Sequence, residues 1–197
     1  MQYALLGDLH SDYKQTKKVL QHIIDVAPGA TILGLGDLYE CKIGKKKAMK
    51  LTETIPLKEA AIVKKKFQKL LTFQSIIGNQ EERIAQVTGL KDFLIYPETI
   101  EIEHATLIHG HQFEWSKTYE MIGHPNFHTP LVFFGHSHRA AIYDGYTRLP
   151  IVYGQAYDVS NKSYFINVGP VIECGDWLLY DSECRTVTFL NASNLLF

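Results

Sequence analysis

Tyr3-Ala4-Leu5-Leu6-Gly7-Asp8-Leu9-His10 and Thr31-Ile32-Leu33-Gly34-Leu35-Gly36-Asp37 decide the reading of this chain, because each is a short apolar run that meets glycine and then a potential ligand. The near-continuous hydrophobicity of the second run suits a strand covered on both faces. Between the two runs, Val19, Leu20, Ile23, Ile24 and Ala27 recur on one helical face before Pro28-Gly29, so the order is strand, loop, helix, strand. Asp12 or Ser11 is better placed than Asp8 to cap that helix. Asp8 and Asp37 then stand just past the C-terminal ends of neighbouring parallel strands, where open α/β sheets hold their ligands.

Working outward, Phe73 to Ile77 reads as a third strand ending at Gly78-Asn79-Gln80-Glu81. Ahead of it, Ala60, Val63, Phe67 and Leu70 fall at helical spacing and predict a helix over Leu57 to Leu71. The lysines at 64–66 and those from Lys42 to Lys50 read as solvated helix faces, with a second use beside an anionic substrate. After Pro97 the pattern changes to short β-type runs: Thr99–Ile102, Ala105–Ile108, Leu131–Phe134, Ala140–Tyr146, Ile151–Tyr153, Tyr164–Val168, Trp177–Tyr180 and Thr186–Leu190. The first half is α/β and the second mostly β, with no linker or repeat to divide it, so residues 1–197 are expected to form one domain. Gly34-Leu35-Gly36 lacks the third glycine of a dinucleotide fingerprint, and Asp37 stands where a phosphate would approach.

Composition narrows the function classes. The formal net charge of -1, from 20 basic and 21 acidic side chains, gives no overall field to draw in nucleic acid or an anionic membrane. Cys41, Cys174 and Cys184 are odd in number and lack a Cys-x-x-Cys pair, which speaks for reduced thiols and a cytoplasmic setting. The first apolar run meets Asp8 too soon for a signal peptide, and no stretch is long enough to span a bilayer.

Five places carry chemistry: Asp8-Leu9-His10, Gly36-Asp37, Gly78-Asn79-Gln80-Glu81, His109-Gly110-His111 and Gly135-His136-Ser137-His138. Imidazole and carboxylate without thiolate favour manganese, with iron or zinc as alternatives, over a structural zinc cage. Two aspartates with neutral histidines and an asparagine around two divalent ions leave about two positive charges, or about one beside a hydroxide. That suits an anionic phosphoryl group, and two cations can clamp the attacking and leaving oxygens of an in-line displacement.

This ordered set resembles the calcineurin-like metallophosphoesterase superfamily, and within it the small YfcE-type phosphodiesterases and the related retromer subunit. The resemblance implies an α/β (α+β) fold: a four-layer α/β/β/α sandwich of two mixed β-sheets flanked by helices. It implies that Asp8, His10 and His138 bind a first metal, that Asp37 bridges, and that Asn79, His109 and His136 complete a second. It further implies a hydroxide shared by two divalent ions that attacks phosphorus in a small phosphate ester, with Asp37, Asn79 and His111 in catalytic roles. His111 would line the site without ligating, and Glu81 or Asp12 would support the ligands from behind. Where much of the superfamily has histidine after the motif asparagine, this chain has Gln80, which can donate a hydrogen bond but not act as a general acid. Two rival readings follow: a catalytically silent binding module, and a nuclease, against which the balanced charge argues. Among the other histidines, His22 and His104 read as structural or surface, and His124 and His128 are kept as candidates for a loop facing the substrate. Tyr39, Glu40, Trp115 and Tyr119 either shape the pocket or pack.

Overall fold

In the computed structural model, which describes residues 1–193, the apolar runs become strands of two six-stranded sheets. The first half supplies β1 (Gln2–Leu6), α1 (Tyr13–Val26), β2 (Thr31–Gly34), β3 (Gln74–Ser75) and α2 (Asn79–Thr88). The second half supplies β4 (Thr99–Ile102), β5 (Ala105–Ile108), β6 (Leu131–Phe134), β7 (Ala141–Asp144), β8 (Thr147–Leu149), β9 (Ala156–Asp158), β10 (Tyr164–Asn167), β11 (Asp176–Asp181) and β12 (Thr186–Asn191). One sheet has the order β9-β12-β11-β1-β2-β3 and the other β8-β7-β10-β6-β5-β4. The first sheet is antiparallel from β9 to β1 and parallel from β1 through β2 to its edge strand β3, whereas the second is antiparallel toward its margins and parallel at its centre, through β5, β6 and β10. The loops leaving those six parallel strands therefore emerge at strand C-termini, and they carry the ligand candidates.

Strand alternation explains why the runs are apolar throughout. Tyr3 and Leu5 point into the layer between the sheets, where they meet Phe133, Ile166, Leu178 and Phe189. Ala4 and Leu6 face outward onto α1 and α2, through Val19, Ile23 and Ile84. The α1 helix starts where Asp12 Oδ1 accepts the Gln15 N–H at 2.9 Å, a side-chain cap of the expected kind.

The fourth layer differs from a helical one. Among the described residues no α-helix follows α2. The outer face of the second sheet is covered instead by residues 109–127, which include a small hairpin of Glu114–Trp115 with Met121–Gly123. Phe113 and Trp115 lie with ring centroids 5.0 and 6.0 Å from Phe134, and Phe127 lies 5.9 Å from Phe165. Flat rings seal that face without helical periodicity.

Three local expectations are corrected. Leu57 to Leu71 is not one helix but two single turns, Leu57–Ala60 and Lys65–Gln68. Between them Ala61–Ile62 pairs with Glu40–Cys41, and Ser11 Oγ donates to the Ile62 carbonyl, so tertiary pairing overrides helical spacing. The run Ala140 to Tyr146 is folded back at Gly145, whose φ of 59° turns β7 into β8. Ile151 to Tyr153 is not a strand; the edge position is taken by β9, and Tyr157 Oη accepts the Val152 N–H. No helix among the described residues is long and apolar enough to cross a membrane.

Candidate metal centre

The ligand candidates sit on backbone that turns sharply as it leaves each strand. Asp8, His10, Asp37, His136 and His138 all have positive φ, between 45° and 68°. They make up half of the ten non-glycine residues in that region among those described, each costing about 1–3 kcal/mol that the surrounding structure must offset. Glycine beside them meets a different need, close approach. A Cβ at Gly78 would lie 2.2 Å from both the backbone nitrogen and Oδ1 of Asp37, and one at Gly135 would lie 2.7 Å from Asp8 Oδ2. These glycines let loops from different strands nearly touch.

The result is two sets of converging atoms: Asp8, His10 and His138 in one, and Asp37, His109 and His136 in the other, with ligand atoms in each set within 4.8 Å of one another. Asp37 Oδ2 lies 3.4 Å from His109 Nε2 and 3.8 Å from His10 Nε2, so one oxygen faces both sets. Its other oxygen accepts the Gln80 N–H at 2.8 Å. Asp8 divides its carboxylate in the same way: Oδ2 accepts the His136 N–H at 3.0 Å, and Oδ1 is buried without a partner, 3.7 Å from His138 Nε2.

The histidine tautomers test whether a cation fits. His109 Nδ1 lies 2.7 Å from the Leu35 carbonyl and must donate to it, which in a neutral ring leaves Nε2 as a lone pair. That lone pair faces Asn79 Oδ1 at 3.2 Å as well as Asp37 Oδ2. Three acceptors converge as placed, an arrangement that a shared proton or a metal ion reconciles. The protein's own electrostatics express that demand: burial disfavours a charged His109, yet Asp37 and Asp8 push its pKa up to about 10. Burial raises Asp37, but His109, His10 and the Gln80 N–H hold its carboxyl well below the usual range. In the other set, His10 Nδ1 is 2.5 Å from Glu40 Oε2, and Nε2 is buried and unpartnered. Burial would lower His10, but Glu40, Asp37 and Asp8 raise it. Buried lone pairs aimed at one another without donors are the donor set of a divalent cation.

Behind the ligands stand residues whose role sequence reasoning saw only in part. Glu81 is wholly buried and accepts the N–H groups of Asp37, Tyr39 and Gly78 at 2.9–3.0 Å, tying two ligand loops together. Its pKa is pushed up to about 7, by burial first and then by Asp37. Asn167 donates to the Gly135 carbonyl at 2.6 Å and to Ser137 Oγ at 2.9 Å, pinning the loop of His136 and His138 from the end of β10. Glu40 holds His10, and Glu173 Oε2 lies 3.6 Å from His138 Nδ1. Asp12 is committed to capping α1, outside both sets. The Gln80 amide oxygen accepts the Cys41 N–H at 3.1 Å.

A cavity of about 490 Å³ opens over both sets, lined by His10, Asp37, Asn79, His111, His136 and His138 and, beside them, by Lys45, Gln80, Glu82, Arg83, Gln86 and Tyr119. His111 Nε2 lies 3.2 Å from Glu82 Oε2, and burial together with His109 pushes its pKa down to about 4. Burial and His109 likewise push His136 down to about 3. The remaining candidates are elsewhere. His22 Nδ1 accepts the Trp177 Nε1–H, His124 stacks on Phe165 at 3.9 Å, and His128 pairs with Glu101 at the surface, so the latter two do not face the cavity. Tyr39 packs on Phe67 and Phe93, whereas Trp115 backs His136 with ring centroids 5.8 Å apart.

A two-sheet α/β sandwich with carboxylates, histidines and an asparagine gathered at its strand ends has the architecture of a phosphoesterase with the potential to bind metal. Residues 1–181 match the calcineurin-like phosphoesterase superfamily domain, and the chain belongs to that superfamily. Its fold is similar to that of a metallophosphoesterase from Sphaerobacter thermophilus, with 18% identity over 97% of this chain and 88% of that one and a TM-score of 0.64. It is also similar to YfcE, a phosphoesterase from E. coli, with 16% identity over 92% of this chain and 88% of the other and a TM-score of 0.51. No curated protein matches the sequence.

Proposed function

We propose that residues 1–197 form one cytoplasmic metallophosphoesterase domain that hydrolyses a small phosphodiester with two divalent cations, manganese foremost. The reading rests on one observation: two sets of buried or half-buried, mutually facing acceptors that share Asp37 under a single cavity. Asp8, His10 and His138 would hold one cation and Asn79, His109 and His136 the other, with Asp37 between them. When bound, such a pair supplies Lewis acidity and a water of lowered pKa. The side-chain charges leave about one net positive charge once that water has lost its proton, which matches a diester monoanion better than a monoester dianion. Glu81 and Asn167 keep the ligand loops in register, and Trp115 backs His136 against the cavity wall.

Proton supply to the departing oxygen is the weak point of this centre. Gln80 has no proton to give up, and His111 has its Nε2 3.2 Å from Glu82 Oε2 and its Nδ1 buried without a partner. Leaving groups that depart without protonation are therefore favoured. Purified protein with manganese should hydrolyse bis(4-nitrophenyl) phosphate far faster than a dialkyl phosphate. Asp37→Ala and His136→Ala should each lower kcat/KM by about 10³-fold or more. If both variants keep the wild-type rate, the assigned centre is wrong. If no metal supports hydrolysis at all, Gln80 marks a silent binding module instead.

A further inference from the structure

The helix that begins at Asn79 runs away from the metal candidates along the cavity wall, and Glu82, Arg83 and Gln86 recur on Asn79's face at i+3, i+4 and i+7. At about 1.5 Å per residue, Arg83 is anchored roughly 6 Å beyond Asn79. Lys45 enters the same cavity from the single turn Lys45–Ala48. Neither cation has a carboxylate partner: Arg83 makes only a 3.5 Å contact with Gln80 Oε1, and Lys45 makes no ion pair or hydrogen bond among the described residues. The one acid on this wall, Glu82, is engaged with His111. Two unpaired cations beside a centre that already neutralises one phosphate call for a second anion.

The lack of an acidic donor points the same way. A phosphate is a leaving group that needs no proton at neutral pH, since its second pKa is about 6, and cations on its far side stabilise the charge it gains. We propose that Lys45 and Arg83 form a subsite for a second phosphate, and that the preferred substrates are small esters of diphosphate, cleaved at the anhydride. This rests on the two-cation hydrolase reading. Water adds to the phosphorus over Asp37, the bridging P–O bond breaks, and the second phosphate leaves with the bond's electron pair toward Lys45 and Arg83. The proton from water passes to solvent, and two phosphate monoesters result. Tyr119, held at a φ of 58° at the cavity mouth, stands where the organic part of such a substrate would exit.

The test compares ADP-ribose with bis(4-nitrophenyl) phosphate on the manganese-loaded wild type and the Lys45→Gln/Arg83→Gln double variant. Losing two charge-assisted contacts should lower kcat/KM for ADP-ribose by about 100-fold, mainly through KM, and the loss on the single-phosphate diester should be at least about tenfold smaller. Equal losses on both substrates would overturn the subsite. So would a single-stranded oligonucleotide that competes better than ADP-ribose, because the arm would then track a polynucleotide backbone. Should the wild type hydrolyse neither compound, the hydrolase reading fails and calorimetry with adenosine 5′-(α,β-methylene)diphosphate decides the subsite alone. Binding weakened about tenfold or more in the double variant supports it, and equal binding refutes it.

Discussion

In the set of Asp37, His109 and His136, His109 is wholly buried at the floor, whereas in the set of Asp8, His10 and His138 the rim is reached by His138, whose side chain is 30% exposed. The partners that orient them differ as much. The floor histidine His109 is fixed by the carbonyl of Leu35, a backbone group that exists as soon as β2 is in place. The rim histidines lean on carboxylates, Glu40 and Glu173, whose side chains are themselves 37% and 65% exposed. One half of the centre is thus built by the sheets, and the other is completed by partly exposed surface acids. Under the proposed function the floor holds its cation tightly, while the rim exchanges its own with solvent.

The sharpest break of that contrast would come from His109→Ala beside His138→Ala. His109→Ala should lose about 10³-fold in activity and stay inactive at any manganese concentration, whereas His138→Ala should recover much of its rate as manganese is raised. Matching metal titrations in the two variants would erase the distinction. Next in size, Glu40→Gln should raise the manganese needed for half-maximal activity by about 10–100-fold, the cost of losing an orienting partner. Glu173→Gln should shift it by no more than about threefold, as for an exposed pair. The smallest effect concerns what joins the halves. Asn167→Ala removes two buried donors from the loop of His136 and His138, and denaturant unfolding of the metal-free protein should register about 1–3 kcal/mol. Its metal content should fall in both halves together; loss from one half alone would mean that the loop does not couple them.

How far the sequence carried differs between the ligand candidates and the residues behind them. The ligand candidates Asp8, His10, Asp37, Asn79, His109, His136 and His138 stood out because each follows a glycine or a strand end within its own short motif. Glu40 and Asn167 were not legible as supports, since Glu40 reaches His10, and Asn167 reaches Gly135, only through the approach of loops far apart in the chain. Glu81 left a partial signal, an acidic residue three after the cap position of α2. The strands β4, β5 and β6 were readable to the residue from their apolar runs. The helix expected over Leu57 to Leu71 failed because an edge pairing with Glu40–Cys41 outcompeted local spacing. The aromatic layer over the second sheet carried no periodic pattern to read, because its contacts are ring to ring rather than turn to turn.

The placement of β1 has a consequence for assembly. It is a central strand, flanked on one side by β2 and on the other by β11, with Gln2 opposite Asp181 and Leu5 opposite Leu178. A growing chain that has made Asp8 and His10 early must therefore keep one edge of that strand unsatisfied until residues 176–181 have been synthesised. Closure across nearly the full length of the polypeptide is slow, and an open strand edge invites pairing with other chains in the interval. A ribosome-stalled nascent chain ending before Asp176 should thus be sensitive to protease across the whole first sheet, however complete its own sequence motifs are.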